Sequence, residues 1–115
     1  MFIKHLDEIE KKEIAGEGIK NVLKQVPLGP DQGWKDHVLR VFTLRAGGHT
    51  PRHSHDWEHF NYVISGSGTL EAEGKRNVLK AGSFAVVPPN TTHQYSNQGT
   101  DDFVMICIVP GRGEY

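Results

Sequence analysis

Seven histidines occur in this chain of 115 residues, and three of them, His53, His55 and His59, fall in one short run. Neutral imidazole is the commonest protein ligand for first-row transition metals. Side chains alternate between faces along a regular strand. His53, His55, Trp57 and His59 share a parity, so a strand through them would aim several imidazoles at one point. A bend near Asp56 would leave the pairing of His53 with His55 firmer than continued alternation to His59. An exposed hydrophilic strand would also carry histidines, but it explains poorly a His-x-His-x3-His run set between a Gly-Gly turn and an apolar segment. Glu58 is the competing ligand. Its parity is opposite to that of His59, so both cannot face one ion without a bulge, and His59 is favoured.

These residues need a scaffold, and the composition bounds it. The length fits one compact domain. Hydrophobic residues make up 37% and charged residues 23%, so a packed core is feasible. The net charge of -1 and the lack of a basic run leave no electrostatic footprint for nucleic acid. No apolar stretch approaches the roughly 20 residues of a membrane helix. The N-terminus turns charged at once and lacks the apolar stretch of a secretory signal. Cys107 is the single cysteine, which rules out an intrachain disulfide and zinc sites built on two thiolates. A cytoplasmic location is the expectation.

Residues 1 to about 16 read as a charged arm with one or two helical turns. From Ile19 the period shortens to two. Strands are predicted at 19–26, 37–44, 52–55, 57–64, 69–74, 76–82, 83–90, 92–97 and 102–110, with 46–51 as a turn and the tail 111–115 as frayed. Many short strands with turn signals between them, and no long helix, argue an all-β sandwich or barrel. Strand pattern alone does not choose between an immunoglobulin-like sandwich and a jelly roll.

The histidines choose. Gly47, His53, His55, His59 and Gly66 stand at the spacings of the first motif of the cupins, Gly-x5-His-x-His-x3/4-Glu-x6-Gly. Gly82, Pro88, Asn90, His93 and Asn97 stand at those of the second, Gly-x5-Pro-x-Gly-x2-His-x3-Asn. The chain resembles the small single-domain cupins, and most closely those carrying His-Ser-His-x-Trp-Glu-His. The resemblance implies a double-stranded β-helix, or jelly-roll, barrel over 19–110. It implies one divalent transition metal (manganese, iron, zinc, nickel or copper) held by His53, His55, His59 and His93. It also implies a homodimer, with the arm 1–18 as a candidate for exchange between partners. Two positions depart from the pattern. Asn90 replaces a glycine, which is tolerable because asparagine adopts left-handed backbone more readily than most residues. His59 replaces the usual glutamate, so four neutral ligands leave the full dication charge at the ion. Octahedral coordination would then leave two positions open, for a bidentate substrate or for substrate and dioxygen.

Inside such a barrel, Arg40 and Phe42 share a parity, and Arg40 would serve as an anion anchor, unless a local twist exposes it. Cys107 shares parity with Phe103 and Met105 and lines the cavity or packs as a small buried hydrophobe. Trp57 is the candidate pocket wall, and His49 is read as exposed. Three functions follow for a small-molecule ligand: a metal-dependent oxidoreductase of the dioxygenase kind, a Lewis-acid isomerase, decarboxylase or lyase, or a non-catalytic binding domain.

Overall fold

A computed structural model describes residues 1–114. Nine strands form one antiparallel sheet that curls into a nearly closed barrel. They are β1 (Lys12–Ile14), β2 (Lys20–Leu28), β3 (His37–His49), β4 (His59–Ser65), β5 (Ser67–Ala72), β6 (Lys75–Lys80), β7 (Phe84–Val87), β8 (His93–Ser96) and β9 (Phe103–Pro110). The order is β6-β5-β8-β3-β9-β4-β7, with β2 on β3 and β1 on β2. The jelly-roll expectation holds. No described helix is long and apolar enough to cross a membrane.

Strict alternation fixes what faces inward. On β9, Phe103, Met105, Cys107 and Val109 are buried, while Val104, Ile106 and Ile108 between them are half-covered. On β4 the inward residues are His59, Asn61 and Val63, and on β8 they are His93 and Tyr95. The interior therefore divides. One end is apolar, built from Leu44, Val63, Leu70, Leu79 and Phe103. The other holds the histidines, Arg40 and Cys107. Between the two ends, the Tyr95 hydroxyl donates to Asn61 Oδ1 at 2.5 Å, so two buried polar groups satisfy each other.

Glycine is required where β5 crosses β9. A Cβ on Gly68 would lie in the Phe103 ring, and one on Gly66 would strike the Asp102 backbone, with φ +74 besides. Asn97, 1% exposed, organises the β8–β9 connection by donating to the carbonyls of Leu44 (2.8 Å) and Asp101 (2.7 Å).

Four local expectations are corrected. The turn predicted at 46–51 is mostly strand: β3 runs on to His49 by placing Gly47 at φ +76, and His49 is half-buried there, not exposed. The segment 52–55 is no strand; its pairing is the single bridge His53–His93. The arm makes one 3-10 turn, Leu6–Glu8, and then β1, held by Gln25, whose amide donates to the carbonyls of Leu6 and Ile9 (both 2.9 Å). The tail is docked, with Gly111–Gly113 in a 3-10 turn and Gly113 buried; Tyr115 lies outside the described residues.

Candidate metal centre

The two histidine motifs meet through their backbones. His53 N–H donates to His93 O at 3.1 Å, and His93 N–H donates to His53 O at 2.9 Å. Asn90, left-handed at φ 62 as its place in the motif requires, donates its N–H to His55 O at 2.7 Å. The turn before β8 thus clamps the irregular loop that carries His53 and His55. Shared strand parity is not what converges these rings; the bridge and the clamp do that.

Ligand nitrogens of His53, His55 and His93 lie within 4.8 Å of one another. His59 stands against this group, its Nε2 2.6 Å from His55 Nε2 and its ring 5.0 Å from that of His93. The outward nitrogens of three rings are fixed. His55 Nδ1 lies 3.0 Å from Trp57 O, and His93 Nδ1 lies 2.8 Å from Thr91 O. A carbonyl only accepts, so both Nδ1 atoms carry the hydrogen and both Nε2 lone pairs point inward. His59 Nδ1 lies 3.0 Å from Cys107 Sγ. Such outer partners set the tautomer and orientation of metal-binding histidines.

This arrangement fits a metal. His93 Nε2 is buried with no hydrogen-bond partner among the described residues. A buried acceptor left unmet is costly, and a cation at the convergence point would satisfy it. Two ligands of one ion at right angles stand about 3 Å apart, near the separation of the His55 and His59 nitrogens.

All four rings resist protonation. Burial holds His59 down to about 2, helped by neighbouring His55 and His93. Burial lowers His53, with His93 and His55 adding to the effect. It also lowers His55 and His93, against the backbone carbonyls of Trp57 and Thr91, which favour the protonated forms. Neutral imidazole is the ligating form. The unfolded chain binds these protons near the ordinary histidine value of 6.5 and the folded chain does not. Stability of the metal-free protein is therefore full above that value and falls as pH drops below it. Melting temperatures of chelator-treated protein should decline steadily from about pH 7 to about pH 5, and His59→Gln should flatten the slope. A profile identical in that variant would remove His59 from the account.

The cavity over the rings measures about 320 Å³, within the range of small-ligand sites. Arg40, Phe42, Trp57 and Cys107 all line it. Arg40 is 6% exposed and its side chain is turned into the barrel. Its guanidinium lies over the Phe42 ring at 4.9 Å and donates from Nη2 to Cys107 Sγ at 3.1 Å. Cys107 is both buried and cavity-lining; burial pushes its thiol up, against the pull of Arg40. Trp57 stacks on His55 with centroids 4.3 Å apart. Glu58 is absent from the lining, as its parity predicts. Lys24 and Tyr95 line the cavity too, and neither was legible as a site residue. Tyr95 had a signal: it follows the motif residue His93 by two positions on one strand.

A jelly-roll barrel with histidines converging at one end of its interior defines the class. The chain belongs to the cupins: residues 40–109 match the Cupin domain family (Cupin_2). It is 33% identical over 86 residues to Auxin-binding protein 1 of Arabidopsis thaliana, covering 67% of this chain and 43% of that relative. The chain thus spans less than half the length of that curated relative. Its fold is similar to the polyketide cyclase RemF from Streptomyces resistomycificus, with TM-score 0.90, 23% identity and coverage of 96% and 79% of the two chains. It is also similar to a protein from Thermotoga maritima described as a predicted oxalate decarboxylase, with TM-score 0.85, 21% identity and coverage of 95% and 98%. Likeness at these identities establishes the fold.

Proposed function

We propose that this cupin is a metal-dependent oxidoreductase of the dioxygenase kind, acting on a small organic molecule inside the barrel. The observation that carries the reading is the convergence of His53, His55 and His93, backed by His59, in a cavity whose described lining contains no carboxylate. These four residues would hold one divalent ion of manganese, iron, zinc, nickel or copper. A redox-active ion of this kind supplies electron transfer and Lewis acidity when bound.

The chain's own residues do the rest. Trp57 O, Thr91 O and Cys107 Sγ hold the rings in register. Phe42, Trp57 and Met105 give apolar walls that exclude water and seat an organic body. Proton abstraction has no obvious agent. No Asp or Glu is among the described lining residues, the neighbouring Glu114 carboxylate is engaged by Lys24 and Arg40, and burial first, then Cys107, holds the Tyr95 phenol well above its ordinary value. A Lewis-acid isomerase or lyase would want such a base.

Oxygen uptake by protein of measured metal content, offered diketones, flavonols, thiols and alkenes in turn, tests the reading. Metal-dependent oxygen consumption is expected with at least one class. Turnover that needs no oxygen would replace the reading with Lewis-acid chemistry. Tight binding without turnover would place the chain beside its auxin-binding relative as a binder.

A further inference from the structure

We propose that Lys24 and Arg40 form an anion subsite in the cavity wall, that Glu114 fills it in the free protein, and that the substrate is a small, largely apolar organic acid whose carboxylate takes the place of Glu114. The inference deepens the reading above and rests on it for the reacting end of the substrate.

Lys24 on β2 and Arg40 on β3 both line the cavity. A single carboxylate bridges them: Lys24 Nζ donates to Glu114 Oε2 at 2.8 Å, and Arg40 Nη1 to Glu114 Oε1 at 3.4 Å. Two cations from adjacent strands, each meeting one oxygen of the same carboxylate, make a carboxylate-binding arrangement. Arg40 has capacity left over, because its Nε is buried and without a hydrogen-bond partner among the described residues. The described lining thus brings two cations and no Asp or Glu.

The tail that carries the occupying carboxylate is docked, by Gly111 N–H to Asp36 O at 2.9 Å and by Arg112 Nη1 to Asp56 Oδ1 at 2.8 Å, so the Glu114 side chain leaves by rotation about its own torsions. Glu114 follows the three-residue 3-10 turn and its N–H bonds only locally, to Gly111 O at 3.2 Å. No strand ladder has to break for it to withdraw. The subsite also stands at a useful distance from the histidines. Arg40 contacts Cys107 at 3.1 Å, and Cys107 contacts His59 at 3.0 Å, so one side chain separates the anion clamp from the ring cluster. Ile14, Ile19, Phe42 and Met105 offer apolar contact for the body of the acid.

Calorimetric titration of the full chain with benzoate, and with benzyl alcohol as the uncharged counterpart, tests this. Removing an internal competitor raises apparent affinity by the reciprocal of the fraction of sites it had left open. Glu114→Gln should bind benzoate about tenfold tighter and benzyl alcohol unchanged. Lys24→Gln should weaken benzoate several-fold. Equal benzoate affinity in wild type and Glu114→Gln, or no benzoate binding by either, overturns the proposal. The same comparison in a His55→Ala background, with metal measured, separates the two ideas. A gain that persists without metal upholds the subsite even if the metal reading fails. Metal-loaded protein that shows no gain removes the subsite alone.

Discussion

Replacing His55 with alanine should lower metal affinity by at least about 100-fold, beyond the roughly 10- to 100-fold that loss of an outer hydrogen-bond partner costs. His55 belongs to the group of three nitrogens within 4.8 Å, and its Nε2 is the one nearest His59. Its ring is also the middle member of a stack, with Trp57 at 4.3 Å on one side and His59 at 4.5 Å on the other. Deleting it removes a donor and the support of two neighbours together. The fold should survive. His55 lies in an irregular loop outside every strand, is half-buried, and is no member of the apolar core. Elemental analysis of the purified variant, alongside an unchanged far-ultraviolet spectrum, gives the result directly. Full metal occupancy in that variant would mean that the ion binds elsewhere.

At the opposite end of the barrel, Phe103→Ala should cost about 3–5 kcal/mol. Phe103 is 0% exposed and packs in the cluster with Leu44, Val63 and Met105. Gly68 lacks a side chain where the ring passes, so the ring fills space that its neighbour has left for it. Alanine cannot fill that space, and a barrel wall tied by ladders on both sides relaxes little. Since small domains are stable by only about 5–15 kcal/mol, the variant would lose a large share of its total. Urea unfolding of metal-free protein should show a lowered midpoint at unchanged slope. A loss below about 1 kcal/mol would show that the wall collapses onto the cavity, contrary to the packing described.

Much of this was legible in the sequence because strands carry a period of two. The alternation in β9 and the spacing of both motifs located the barrel and all four rings. Other parts were hidden for physical reasons. On β4 the outward residues Phe60, Tyr62 and Ile64 are apolar and 37–45% exposed, so hydrophobicity there does not tell inside from outside. The strand through Gly47 was unreadable because Gly-Gly signals a turn, while the structure uses Gly47 to bend β3 and carry it on. The loop His53–His55 imitates a strand by its parity, yet a two-bond bridge to His93 sets its shape, and such a bridge leaves no local trace. Lys24 and Glu114 come together from opposite ends of the chain, so no spacing rule connects them.

The bridge between His53 and His93 has a consequence for timing. These residues are far apart along the chain, and the bond pair between them closes a long loop. Loop closure must be accomplished before such non-local contacts stabilise anything, which is why barrels of this kind fold in milliseconds to seconds and not microseconds. A nascent chain emerges with His53, His55 and His59 together but without His93. The proposed ligand set is complete once β8 has been made and zipped against β5. A metal held by these four residues would therefore be selected by the finished barrel and not by the emerging chain.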